Sequence, residues 1–498
     1  MEIIMQTQPT MWRETASATA NRLTDLTVEE FLKFCKVPRP GFHTEKALAY
    51  FQSWADEHGF AHYRDEYGNF WMDVPATAGF EHYPKVILQA HMDMVCVATS
   101  DKEIDFETTG ITAVINGNRM TADGTSLGAD NGIGVASALA IVAGGVEHGP
   151  LRVLFTADED VGLHGAAALD PAALDSDYLI NIDLEEENEV CYSCAGNLRA
   201  SMKKTVEMSP VTEAEHVWCV TVDGLMGGHS GMDIHRNRLS ASVALMRMMQ
   251  KAQEACGGLR FVQVKSGAAF NAITYTGSVT VAVAEDKDEA FKAAVEAQKA
   301  ELLSQFPQEK MTVSVESVDA CGVKAASTQE SAHLIALVNY LPQGVLAMSP
   351  KIEGLVQTSS NIGVLQMKDG EIEVGTSSRS CVTADVDKLE ADLTAESGKY
   401  GYTLSVMSKY PGWDGDPDSP LLMLSAKGYE SIGVKARLVA IHAGLEPSWF
   451  SSKRPGMQMI CLGPTLKGAH TTEETLYIDT LPPTIDVVLY CLQHVNEL

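Results

Sequence analysis

Residues 86–93, Val-Ile-Leu-Gln-Ala-His-Met-Asp, constrain this chain more than any other stretch. The apolar run from Val86 to Leu88 predicts a buried strand, and that strand ends in His91 and Asp93. On an extended backbone, residues i and i+2 point the same way, so an imidazole and a carboxylate project together from one strand end. Open α/β sheets bind their ligands at that edge. Whether the pair belongs to a metal site depends on what the other strand ends carry.

The chain has 498 residues, enough for two or more hydrophobic cores. At 45% hydrophobic and 21% charged, it reads as an ordinary globular protein. A formal charge of −29 repels phosphate backbones and argues against a nucleic-acid partner. No apolar run approaches the roughly 18 residues that a membrane span needs. The N-terminal MEIIMQTQPTMWRE lacks the basic and apolar regions of a signal peptide. Ten cysteines are scattered, and Cys219, Cys461 and Cys491 sit in apolar runs. Buried thiols in a reducing cytoplasm are the expectation. Cys191 and Cys194 make a lone C-x-x-C with no second pair at ligand spacing, which disfavours a redox or zinc role.

The opening residues read as a loose arm or short helix. Thr27, with Glu30 three residues on, has the pattern of a capping box starting a helix that ends before Pro38-Arg39-Pro40-Gly41. A second helix is expected over 44–58, and strands over 60–74 and 85–90. A loop with a hairpin turn at Asn116-Gly117 follows. Then Leu127-Gly128-Ala129-Asp130-Asn131-Gly132-Ile133-Gly134 opens a helix of small residues. Buried strands at 151–156 and 178–182 end in Asp158-Glu159-Asp160 and Asp183. This alternation predicts an α/β domain, a mostly parallel sheet with helices on both faces. After about residue 196 the grammar changes to strands at 216–223, 272–284 and 311–318 and helices at 237–255 and 287–305. A helix at 328–341, a hairpin across Lys368-Asp369-Gly370, a helix at 384–398 and a strand at 402–407 follow. This predicts an inserted α+β lid domain over 197–408, with 1–196 and 409–498 forming one discontinuous catalytic domain. Its last part holds a helix at 419–431, strands at 436–441 and 457–462, and a helix at 482–496.

The strand ends and helix starts of the first domain collect His91 with Asp93, Asp130, Glu159 and Asp160, and Asp183; His470 follows a late strand. Singly, each has an ordinary explanation. An Asp at a helix start is usually a cap, an Asp-Glu-Asp run a solvated face, and a lone His a packed or surface residue. Together, two imidazoles and three carboxylates suit a pair of divalent ions, zinc first among them. Asp130, on a glycine-rich turn, offers a rigid seat for a bridging carboxylate.

The segments HMDMV (91–95), GADNGIG (128–134), FTADEDVGL (155–163), NIDLEEE (181–187), GGHSGMDIH (227–235), FNAI (270–273), SSRS (377–380), AIHAGLE (440–446) and GAHTTEE (468–474) run through nearly the whole chain. This combination resembles the M20 metallopeptidase family, in its aminoacyl-histidine (Xaa-His, carnosinase-like) dipeptidase branch. The resemblance implies a hydrolase of dipeptides such as β-Ala-His, with two zinc ions, manganese or cobalt being the alternatives. His91 and Asp160 would bind different metals, Asp183 and His470 would complete the two sites, and Asp130 would bridge. Asp93 would orient His91 through its second ring N–H, and Glu159 would be the general base. In the lid, His229 would stabilise the oxyanion, Asn271 would bind that oxyanion or the substrate backbone, and Arg379 would clamp the terminal carboxylate. Glu446 would receive the substrate's ammonium. His235 fits a structural role equally well.

The family usually has two consecutive glutamates where this chain has Glu159-Asp160. Gly162 and Leu163 set the register, leaving a shorter carboxylate at the ligand position; the other register makes Asp158 the base and Glu159 the ligand. Lid closure about hinges near 197 and 408 is implied, as is a homodimer through the lid. Two other functions compete: removal of an acyl group from an amino acid, and peptide binding without catalysis. The intact ligand set argues against the latter.

Overall fold

The computed structural model describes residues 16–498; the arm expected at the N-terminus falls mostly on residues outside that range. The chain divides into two compact units. The first takes in residues up to Cys194, then Trp413–Ala440 and Leu445–Leu498; the second comprises Ala195–Gly412 and Ile441–Gly444.

The first unit is built on an eight-stranded sheet. Its centre is four neighbouring parallel strands, Leu151–Thr156, Val86–His91, Tyr178–Ile182 and Gln458–Leu462. The hairpin of Ala61–Arg64 and Phe70–Val74 adds an antiparallel margin on one side. Glu189–Cys194 pairs antiparallel with Gln458–Leu462 on the other side, and Arg437–Ile441 follows it in the sheet order. Every residue of Val86–His91 and Leu151–Thr156 is buried, as strands covered on both faces require. The sheet is thus parallel at its centre and antiparallel at its margins. Helix Ala129–Ala143 packs on the Val86–His91 strand, and Ala18–Phe34 packs on that helix and on Leu481–His494. A second, four-stranded sheet carries Leu466–Lys467 beside Thr475–Tyr477, so the segment bearing His470 is a loop between paired strands.

One expectation fails here. Thr27 does not cap a helix but lies buried inside Ala18–Phe34. The cap is Ser17, whose Oγ accepts from the Ala20 N–H at 3.0 Å. Leu23, Val28 and Phe31 form one buried stripe, and that stripe continues through the threonine.

The second unit holds a nine-stranded antiparallel sheet. Helices Ala241–Cys256, Asp288–Gln305, Thr328–Tyr340 and Thr383–Lys399 contribute to its apolar core, which includes Met246, Met248, Phe291, Leu334 and Leu393. The single strand expected over 272–284 is two, Ala272–Ile273 and Gly277–Ala284. The strand Arg260–Ser266 was not expected from its pattern. An irregularity between Phe261 and Gln263 shifts its register and breaks the alternation that would announce it. Among the described residues, no helix is long and apolar enough to cross a membrane.

Candidate active site

The parallel centre of the first unit explains why residues far apart in sequence meet. His91 lies opposite Thr156, and Gln89 opposite Asn181, so three strands end at one edge. Beyond those ends come Asp93, Glu159 with Asp160, and Asp183. Asp130 arrives at the start of helix Ala129–Ala143, where Asp130 and Asn131 depart from helical geometry.

Asp130 is the centre of the cluster. Its Oδ1 lies 3.0 Å from His91 Nε2, and its Oδ2 lies 3.0 Å from His470 Nε2. Asp183 Oδ1 is 3.6 Å from His91 Nε2, and Asp160 Oδ1 is 2.9 Å from His470 Nε2. Two three-residue sets share Asp130: His91, Asp130 and Asp183, and Asp130, Asp160 and His470. His91, Asp93 and Asp160 make a third set of matching compactness. Glu159 Oε2 stands 3.9 Å from His91 Nε2.

The electrostatics follow from crowding carboxylates in a buried space. Burial pushes Glu159 and Asp183 well above the ordinary carboxylate range; neighbouring carboxylates add to this, and His91 opposes it. Burial also pushes Asp130 up, but hydrogen bonds from His470 and His91 outweigh it and hold this carboxyl low. Bonds to Asp130 and Asp160 raise His470 to about 11. Asp160 Oδ2 is a buried oxygen without a hydrogen-bond partner. Imidazole and carboxylate donors, this excess of negative charge and an unsatisfied buried oxygen all fit divalent cations.

The supports are as informative as the donors. Asp93 Oδ1 lies 3.4 Å from His91 Nδ1, longer than a good hydrogen bond. Its closer partners are backbone: Oδ1 accepts from Glu159 N at 3.0 Å and Oδ2 from Asp160 N at 3.2 Å. Asp93 therefore ties the strand end of His91 to the loop of Glu159 and Asp160. Asp158, the base in the other register, accepts from Phe42 N at 2.7 Å and Tyr67 Oη at 2.8 Å. Glu474 is buried and accepts four backbone N–H groups. Leu127 and Gly128 donate to its Oε2, Ala129 and Asp130 to its Oε1. Nothing in the spacing of GAHTTEE marks Glu474 as the seat of the Asp130 turn; only its acidity hinted at a role.

A separate cluster occupies the second unit. Gly228–His229 pairs with Ala272–Ile273, which sets His229 opposite Ala272, the residue that follows Asn271. Asn271 is exposed, and its carbonyl accepts from Ser230 N at 2.8 Å. His229 Nδ1 accepts from the N–H groups of Gly231 and Met232 at 3.2 and 3.1 Å, which leaves its proton on Nε2. Burial and the Arg379 charge lower its pKa and keep it neutral. Arg379, on strand Glu371–Ser380, is 7% exposed, and its Nε has no hydrogen-bond partner. A Cβ at Gly231 would sit 3.2 Å from both Arg379 Nε and His229 Cε1, so glycine leaves the space between them open. His442 completes the cluster. Its Nε2 is 2.7 Å from Ser359 Oγ, and burial followed by the Arg379 charge pushes it down to about 3. His235 is exposed.

Residues 87–494 match the model of peptidase family M20/M25/M40. The chain belongs to this family. It is 36% identical over 454 residues to a cytosol non-specific dipeptidase of Escherichia coli (strain K12), covering 91% of this chain and 93% of that protein. Its structure is similar to the crystal structure of an aminoacylhistidine dipeptidase from Vibrio alginolyticus. The TM-score is 0.88 and the identity 34%, over 96% of this chain and 97% of the other. An aminopeptidase from Bacillus cereus, 16% identical with a TM-score of 0.58 over 97% of this chain and 99% of its own, shares the fold.

Within this M20 chain, Glu446, expected to meet the substrate's ammonium, lies deep in the first unit. Glu446 is 0% exposed. Its Oε2 accepts from Gln89 Nε2 at 2.6 Å and Thr156 Oγ1 at 2.8 Å, beneath the strand ends. Burial raises it to about 7. Its Oε1 has no hydrogen-bond partner. The C-x-x-C pair takes no part in any metal-binding set among the described residues. Both its sulfurs are buried, Cys191 Sγ on the Ser193 carbonyl and Cys194 Sγ on that of Leu445.

Proposed function

We propose that this peptidase is a metal-dependent dipeptidase acting on Xaa-His and other dipeptides. One observation carries the reading: each carboxylate oxygen of Asp130 faces a different imidazole, with Asp183 beside one and Asp160 beside the other. The names of its E. coli and V. alginolyticus relatives support the substrate class. His91, Asp130 and Asp183 would hold one ion and Asp130, Asp160 and His470 the other, zinc first, then manganese or cobalt. Bound there, such ions supply Lewis acidity that polarises a peptide carbonyl and acidifies a water.

The protein's own groups do the rest. Glu159, half-buried and with a raised proton affinity, takes a proton from the attacking water and hands it to the departing amine. Asp93 holds the Glu159 backbone while it does so. His229 offers its Nε2–H to the carbonyl oxygen as that oxygen gains charge. Arg379 has a free Nε donor for the substrate's terminal carboxylate. Asn271, exposed next to His229, binds that oxyanion or the substrate backbone. The E. coli relative's name supports a cytosolic location, and a homodimer through the second unit is part of this proposal.

A panel of dipeptides that includes β-Ala-His, set beside N-acetyl amino acids and run with zinc, manganese and cobalt in turn, tests the function. Turnover of free dipeptides is expected. Cleavage of the acylated amino acids alone would make the enzyme a deacylase. No turnover, with no metal retained, would leave only peptide binding.

A further inference from the structure

Arg39 is among the largest fully buried side chains, 1% exposed, in the link between helices Ala18–Phe34 and Glu45–His58. Its hydrogen bonds end on backbone carbonyls. Nη1 donates to Met92 O at 3.3 Å and Asp93 O at 2.9 Å, and Nη2 donates to Gly128 O at 2.6 Å. The guanidinium carbon lies 4.5 Å from the Phe34 ring centroid. A buried cation held by neutral carbonyls is a costly way to fill a core, and an apolar side chain of similar volume would serve packing as well. The surroundings are shaped around it nonetheless. A Cβ at Gly128 or at Gly132 would stand 2.6 Å from Nη2, so two glycines of the GADNG segment make room for the guanidinium.

The two loops that Arg39 joins both carry proposed metal-site residues. One is the strand end of His91, Met92 and Asp93; the other is the turn that leads into Asp130. Glu474 grips the N–H groups of that same turn while Arg39 takes its Gly128 carbonyl. The turn is therefore fixed by opposite buried charges acting on opposite ends of its peptide dipoles.

We propose that Arg39 is a positioning residue that sets the spacing between His91 and Asp130, and so preorganises the metal pair. The inference rests on the two-metal reading. It needs a planar fork that spans two loops, which the single nitrogen of lysine does not provide.

Wild type, R39K and R39M, stripped by chelation, are titrated calorimetrically with zinc and with manganese. Tm is measured for each with and without metal, and dipeptide kinetics at saturating metal. In both variants the affinity for the metals is expected to fall roughly 10–100-fold. The metal-induced rise in Tm should shrink, and kcat should drop with KM for the dipeptide little changed. Variants whose metal-free Tm falls, but whose affinity and metal-induced rise match wild type, would overturn the proposal. So would failure of both to fold, which would leave Arg39 a structural role alone. A wild type that binds neither ion refutes the two-metal reading itself.

Discussion

Two histidines, one in each unit, are driven in opposite directions. His470 rises to about 11 among the carboxylates of the first unit. His442 falls to about 3 in the second, buried beside Arg379. The side chain is the same, and its neighbours decide its charge. The first cluster draws its members from segments spread between residues 91 and 470 and converges negative charge, which suits cations. The second gathers His229, Arg379 and His442, neutral in its imidazoles and cationic at Arg379, which suits anions. One cluster is thus suited to bind cations and the other to bind anions.

The sharpest way to break this contrast is to disable one cluster at a time. Glu159→Gln is expected to lower kcat by about 10³–10⁴-fold, near the upper range of general-base catalysis. Metal content, measured by elemental analysis, should stay at the wild-type level. Full activity in that variant would remove Glu159 from the mechanism. His229→Ala should cost about 10²–10³-fold in kcat, the usual loss for an oxyanion donor, while zinc titration is unchanged. Arg379→Met should lower kcat/KM for dipeptides by about 100-fold, as for a lost hydrogen bond to a charged group. Dipeptide amides, which lack the carboxylate, should be hydrolysed equally by variant and wild type. An equal loss on both substrates would assign Arg379 to packing.

The fourth prediction concerns pH. The folded pKa of His442 lies below its ordinary value of 6.5, so the unfolded chain binds the proton more readily. Its contribution is fully present above pH 6.5 and is lost as pH falls toward about 3. The slope is about 1.4 kcal/mol per pH unit over that window. Urea unfolding of wild type and His442→Gln at several pH values should show a shallower acid dependence in the variant; parallel curves would contradict a neutral buried imidazole. The smallest effect is expected for Asp160→Glu. The longer carboxylate keeps the donor type and adds one methylene, so it should shift metal affinity by no more than about tenfold, the low end of the loss for a disturbed metal-site residue.

Much of the fold and the first cluster was legible in the sequence. Buried parallel strands read as continuous apolar runs, and each places its next polar residues at the sheet edge. That logic reaches His91, Asp130, Glu159, Asp160 and Asp183 directly. It does not reach Glu474, whose partners are backbone amides nearly 350 positions earlier (347 for Leu127). Arg39 escaped for the same reason: its partners are carbonyls, which every residue has. Thr27 misled because a capping pattern was judged without the apolar stripe that runs through it.

The sequence alone determined which side chains stand at strand ends and helix starts, because period-two and small-residue patterns are local and encode facing directly. Only the tertiary structure decided which oxygen of Asp130 meets which imidazole. It also decided that Asp93 holds the Glu159 loop more closely than it holds His91, and that Glu446 lies buried on Gln89 and Thr156. Those outcomes depend on hydrogen bonds and burial between segments hundreds of residues apart, and no local pattern carries that information.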